Sequence, residues 1–401
     1  MIDKFSVLYV GQIEFEDVGR DATPANDRRF SNERLIEALG HATDLAKLMD
    51  DRGFYCMWTA EHHFQREGYE CLPNLILLGT YLATQTKQLK FGCAFNIVPM
   101  WHPIRLAEDY AMADVLTGGR VIFGVGRGYH SREVESFGAP VIDNDANREL
   151  FEEQMEIILK AFNQDSFSHR GKHYTIPPNV PYRGYDLDEV TLVPRPVNRP
   201  VEIWQPIASG KSIDYMASKG IKAMVALTGE TLVDRIFHQY QDACRDHGRD
   251  LQLGEDMALS VGFYFADTQQ EAVRRVRDSH DERYKWFAPF GFVRYADRQG
   301  RPWGTPGAPT RLPHIEDGVA QKAWICGPPE NFVNFLHEIQ EKYPGLEQIL
   351  VQWPEGTPWP EFKEQLEILS SEVMPHFRPR DASTPAPAGS TAPAADGAAR
   401  A

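Results

Sequence analysis

Long apolar runs are missing from this sequence. No stretch of about 18 apolar residues occurs, so a membrane-spanning helix is not expected. The N-terminus lacks a charged segment followed by an apolar one, so a secretion signal is not expected either. Basic charge is also short. Lys plus Arg number 42 against 57 Asp plus Glu, a formal net charge of -15, which argues against a nucleic-acid partner because phosphate contacts need a basic surface. Cysteine is sparse: Cys56, Cys71, Cys93, Cys244 and Cys326 form no CxxC pair and no metal-binding spacing, and read as reduced thiols of a cytosolic protein. What remains is the profile of an acidic, cytoplasmic enzyme of 401 residues, long enough for one large α/β domain or two smaller ones.

Short apolar runs alternate with amphipathic segments along the chain. Phe5 to Val10, Phe54 to Trp58, Leu89 to Phe95, Val121 to Val125, Val201 to Trp204, Ile221 to Ala226, Ala258 to Phe265 and Gln348 to Val351 read as buried strands. Helical spacing follows each of them. After a Ser31 cap, Leu35, Leu39, Ala42, Ala46 and Met49 form one stripe that Gly53 ends, and from Asn144 the residues Phe151, Met155, Ile158 and Phe162 share a face. Further helices are expected over Ser212 to Ser218, Thr231 to Arg245, Gln269 to Arg283, Pro329 to Glu341 and Pro360 to Val373. Eight such units predict an α/β protein, a closed (β/α)8 TIM barrel. Two segments break the alternation: Phe167 to Ile176 resembles a β-hairpin, and residues 285–323, rich in Gly, Pro, Arg and aromatics, hold no period and read as an insertion. Residues 1–378 therefore form one barrel domain, and the Ala/Pro-rich tail, 379–401, is expected to be disordered.

Ligands in such barrels bind at the C-terminal ends of the strands. Trp58-Thr-Ala-Glu-His-His-Phe64 places an acid and two imidazoles at such an end. Two consecutive residues are awkward ligands for one ion, so metal is not expected at His62 and His63, and a buried structural histidine or a proton-handling one remain open. Phe123-Gly-Val-Gly-Arg-Gly-Tyr129 lacks the third glycine of a dinucleotide fingerprint, since Tyr129 stands there. It leaves a glycine turn bearing Arg127, which either grips a phosphate or is an ordinary ion-pair residue. Ala208-Ser-Gly-Lys-Ser212 is not a nucleotide loop, because Gln205 occupies the place of its first glycine, yet Ser209, Gly210 and Ser212 open a helix with hydroxyls and free N–H groups suited to an anion. His102-Pro103 reads as helix-start chemistry, and His169 and His173, flanking the hairpin turn, as solvated.

Taken together, Trp58 to Phe64, Asn96-Ile-Val-Pro-Met-Trp-His-Pro-Ile-Arg-Leu-Ala-Glu-Asp109, Gly119 to Gly128 and Gly327-Pro-Pro-Glu330 resemble the bacterial luciferase-like monooxygenases, and the resemblance runs from about residue 2 to 378. It implies a dimeric, two-component flavin-dependent monooxygenase that takes reduced FMN from a separate flavin reductase, reacts it with O2 to a C4a-hydroperoxide and oxygenates a small organic substrate. Residue by residue, it implies that His62 is the catalytic histidine, that Arg127, Ser209 and Ser212 hold the phosphate beside Gly210, and that Ala94-Phe95 is a cis peptide beneath the flavin ring. It also makes residues 285–323 a lid, whose Trp286, Phe287, Phe290, Phe292 and Trp303 motivate an apolar substrate. Gly126 stands where the luciferase α subunit has a reactive cysteine, which speaks against light emission but not against oxygenation; Ala208 stands where it has a glutamate, and residues 14–30 are an extra loop near the first strand's end that would reshape substrate access. Two alternatives share the barrel: an F420-dependent oxidoreductase, and a non-catalytic flavin-binding partner subunit.

Overall fold

The strand–helix alternation closes on itself. The computed structural model describes residues 1–207 and 210–377. Strands Lys4–Tyr9, Cys56–Thr59, Lys90–Cys93, Val121–Gly126, Ile203–Pro206, Lys222–Ala226, Met257–Phe265 and Gln348–Gln352 pair in parallel around a ring, with Ile203 opposite Phe123 and Lys4 opposite Gln348. This is a (β/α)8 barrel. Ser209 and the tail lie outside the described residues, and no helix among those described is long and apolar enough to cross a membrane.

Period-two alternation divides each strand between two cores. Cys56, Trp58, Ala94, Ile122, Trp204, Met224, Ala258 and Leu350 fill the barrel interior. Their neighbours Val7, Met57, Phe91, Phe123, Val225, Leu259 and Ile349 face the helices, where each fully buried aliphatic or Phe side chain contributes about 1.5–3 kcal/mol. Interior bulk on one strand requires its absence on the next: a Cβ on Gly92 would lie 2.2 Å from the Trp58 ring. The same holds at Gly262, where a Cβ would lie 2.3 Å from the Trp324 ring.

Four elements differ from the expectations. A ninth parallel strand, Trp324–Gly327, lies beside Gly262 to Phe265, while Ala258 to Val261 pair with Gln348–Gln352, so one nine-residue strand serves two partners. The helix after Ser31 breaks at Ile36 into Asn32–Leu35 and Glu37–Asp51; the break turns Leu39 outward, 47% exposed, and Ala38 takes its place in the core. Gln269–Phe287 runs one turn past Arg283, so Trp286 and Phe287 belong to a helix end. His169 is buried rather than solvated: the hairpin strand His169–Arg170 carries it against Glu153 at 3.1 Å. His173 is exposed, beside Glu149.

Candidate functional site

The carboxyl ends of strands Cys56–Thr59 and Val121–Gly126 bring their following loops together over the barrel. His62 is 5% exposed, and both of its ring nitrogens face carboxylates: Nε2 lies 2.8 Å from Glu70 Oε1, and Nδ1 lies 3.2 Å from Glu133 Oε2. An ionised carboxylate only accepts, so both nitrogens carry hydrogen and the ring is a cation. Burial opposes that charge, and the Glu70 charge with the hydrogen bonds of both carboxylates overcomes it, pushing His62 up to about 10. Glu70 feels burial in the other sense, yet His62 and His130 hold it well below the usual carboxylate range. Glu133 is lowered likewise and accepts from Gln65 Nε2 at 2.7 Å.

Glu70 is the hub of this cluster. Beyond His62 it accepts from Tyr129 Oη at 3.1 Å, from His130 Nε2 at 3.2 Å and from the Trp286 indole N–H at 2.9 Å. Tyr129 Oη also lies 3.3 Å from His62 Nε2, and as the half-buried member it links the imidazole to the mouth. Ligand atoms of His62, Glu70 and His130 fall within 4.8 Å of one another, a donor set that would suit a metal ion. Here the carboxylate's charge is instead met by four hydrogen donors. His63 turns away to Glu61, which also accepts from Ile97 N and Trp101 Nε1 and fixes the following loop.

Of the lid aromatics, three reach this cluster. Trp286 stacks on Tyr69 with ring centroids 4.6 Å apart, Phe290 packs 4.1 Å from the His130 ring, and Phe292 packs 4.9 Å from Tyr129. Phe287 stands behind Phe292. Trp303 lies elsewhere, against Tyr295 and Arg311.

A second group sits where strands Val121–Gly126 and Ile203–Pro206 end side by side. The Arg127 guanidinium bonds to neutral acceptors, Asn144 Oδ1 at 2.9 Å and Asn147 Oδ1 at 3.1 Å, and no carboxylate pairs with it among the described residues. Burial and the neighbouring Arg148 lower its pKa, the signature of an under-compensated cation. The helix Gly210–Lys219 follows the strand Ile203–Pro206, which pairs with Val121–Gly126, and Ser212 on it is buried. The Ala94–Phe95 peptide is cis, and Gly124 and Gly126 of the adjoining strand let this segment pack against its backbone: a Cβ on Gly124 would lie 1.7 Å from the Cys93 carbonyl oxygen, and one on Gly126 would lie 3.3 Å from Phe95 Cβ. A guanidinium bonded only to neutral acceptors, at the end of the strand that packs on the cis Ala94–Phe95 segment, fits a cofactor ending in a phosphate. A separate open cleft of about 520 Å³ adjoins residues 17–22, but its Arg20 is already paired with Asp281.

Sequence reasoning missed Glu70, His130 and Glu133, and used Tyr129 only to dismiss a dinucleotide loop. Glu70 lies in an aperiodic loop and carries no local signal. Tyr129, His130 and Glu133 do carry one, since they directly follow Arg127 at a strand end.

A family profile described as luciferase-like monooxygenase matches residues 18–344. The chain is similar to the oxygenase component of flavin-dependent trigonelline monooxygenase from Acinetobacter baylyi, 27% identical over 232 residues, 57% of this chain and 60% of that protein. It is also similar to limonene 1,2-monooxygenase from Rhodococcus erythropolis, 24% identical over 358 residues, 88% of this chain and 83% of that protein. The chain spans 42–60% of the length of the first curated relatives it matches. Solved structures share the fold: the FMN-bound oxygenating constituent of 3,6-diketocamphane monooxygenase from Pseudomonas putida, at TM-score 0.70 and 19% identity, covers 95% of this chain and 100% of its own. An F420-dependent secondary alcohol dehydrogenase, at TM-score 0.62 and 14% identity, covers 94% and 100%.

Proposed function

Because the chain belongs to the luciferase-like monooxygenase family, we propose that it is the oxygenase of a two-component flavin system acting on a small organic substrate with an apolar body. When bound, reduced FMN supplies two electrons to O2, one oxygen atom entering the substrate and the other leaving as water. A separate flavin reductase renews it.

The protein's own residues have distinct tasks. Arg127, with the N–H groups at Gly210 and the hydroxyls of Ser209 and Ser212, takes the phosphate. Ala94, Phe95 and the two glycines support the ring. His62 holds a positive charge and a proton at the mouth, steadied by Glu70 and Glu133, and the Tyr129 hydroxyl carries hydrogen bonding outward. Phe290, Phe292 and Trp286 exclude water from the reacting atoms and pack the substrate's apolar body. The observation that carries this reading is the buried imidazolium between two carboxylates, together with an arginine that no carboxylate pairs among the described residues.

The test is titration with FMN, reduced FMN and F420, followed by turnover with a flavin reductase under ¹⁸O2. Reduced FMN is expected to bind most tightly and one labelled atom to appear in product. Arg127→Met should weaken FMN about 10- to 100-fold, the loss of one or two charge-assisted hydrogen bonds. Selective binding of F420 with oxygen-independent hydride transfer would replace this reading with the dehydrogenase one. FMN binding without turnover by the purified chain and reductase would mark a partner subunit.

A further inference from the structure

Among the described residues, Arg294 is a second arginine at the barrel mouth with no carboxylate partner. Its backbone pairs with Thr228, just beyond strand Lys222–Ala226, and its carbonyl accepts from Gly229 N at 2.8 Å, which fixes it to the rim. From there the side chain reaches across the mouth. Nη1 lies 3.5 Å from the Ile207 carbonyl at the end of strand Ile203–Pro206, and the guanidinium carbon lies 5.1 Å from the Phe292 ring, which itself packs on Tyr129. One long hydrogen bond serves a group with five donors.

The two fully buried arginines among the described residues are handled differently from the half-buried Arg294. Arg28 pairs with Glu282 at 2.9 Å, and Arg283 pairs with Glu355 at 2.6 Å. A half-buried guanidinium with one long hydrogen bond keeps donors open that a ligand at the mouth can complete. Burial lowers the pKa of Arg294 and no carboxylate offsets it. The adjacent acids are not available, since Glu70 and Glu133 are committed to His62. FMN carries one phosphate, which Arg127 accounts for, so a second unpaired guanidinium calls for a second anion.

We propose that the substrate is an organic carboxylate, its acid gripped bidentately by Arg294 and its body packed on Phe292 and Tyr129 within reach of the His62 cluster. A planar fork matches a carboxylate better than any single point charge. Phe292 serves twice, as a wall for the substrate's body and as a ring beneath the guanidinium. The proposal rests on the oxygenase reading of the site and narrows its substrate class: apolar in body, anionic at one end.

The test reads binding rather than turnover, so it is independent of what chemistry follows. FMN-loaded protein is titrated with benzoate, phenylacetate and hexanoate, and with the corresponding amides, by flavin absorbance and calorimetry. At least one acid is expected to bind tenfold or more tightly than its amide. Arg294→Met should erase that difference and Arg294→Lys should keep part of it, while FMN affinity stays within about twofold. Equal binding of acids and amides, or binding of none of the acids, overturns the proposal. So does a tenfold loss of FMN affinity in Arg294→Met with acid preference intact, which would assign the guanidinium to the flavin. Failure to bind FMN, with acid preference retained by the unloaded protein, would instead refute the cofactor reading and leave this one standing.

Discussion

His62 is the residue whose meaning changed most between sequence and structure. A histidine at a strand end suggests a base, because its ordinary pKa lies near neutrality. Held between Glu70 and Glu133 it is an acid and a fixed charge instead. The linkage has a definite sign. Its folded pKa, about 10, lies above the unfolded value of about 6.5, so the stabilisation is complete below about 6.5 and is lost as pH rises through about 10. For Glu70 and Glu133, whose pKa values are lowered, the contribution is present above about 4.3 and is lost as pH falls. Glu70→Gln keeps the shape of the clamp and removes its charge. The His62 titration, followed by NMR on labelled histidine, is expected to drop from about 10 toward the ordinary imidazole range, and the alkaline limb of the activity profile should move with it. A wild-type His62 that titrates near neutrality would contradict the clamp.

At the scale of elements, the insert formed by residues 14–30 and the helix Gln269–Phe287 act as one piece. Arg28 from the insert pairs with Glu282 inside the protein; Tyr69 donates to the same carboxylate, and Lys285 lies 2.9 Å from it. Phe15, Phe30 and Tyr69 close the apolar side of that joint against Trp286 and Phe287. Because Trp286 also donates to Glu70, the insert helps set the cluster around His62. Removing one partner of a buried ion pair leaves the other uncompensated, at a cost of about 3–5 kcal/mol. Glu282→Gln is therefore expected to lower the denaturation midpoint and to open residues 14–30 to protease, with reduced activity; unchanged protease resistance would separate the insert from the helix. None of this joint was visible in sequence, where Arg28 and Glu282 are 254 residues apart. What could be read was periodic or local: the strands, whose buried runs carry their own signal, and the glycine turn with Arg127. Glu70, Arg294 and the ninth strand were missed because their partners are set by barrel closure, not by spacing along the chain.

Among the described residues, the whole molecule offers one apolar face that nothing covers. The helix Leu75–Ala83 is apolar almost all round, yet only one side of it meets the barrel: Leu77 is 69% and Tyr81 52% exposed. On the helix packed beside it, Pro103–Thr117, Met112 is 52% and Leu116 66% exposed. A helix without a polar face is stable when both sides are buried, and exposed apolar patches mark contact surfaces. If the chain forms the homodimer that the family resemblance implies, this is the face expected to be covered by the second copy. A net charge of -15 on each copy opposes association, so apolar burial has to outweigh repulsion, and added salt should tighten the dimer by screening it. Leu77→Glu with Leu116→Glu places two further acids on that face of each copy. Sedimentation velocity is expected to show a dimer for the wild-type protein at micromolar concentration and a monomer for the double variant, with unchanged far-UV circular dichroism. A wild-type monomer, or a double variant that remains dimeric, would show that this face is not where two copies meet.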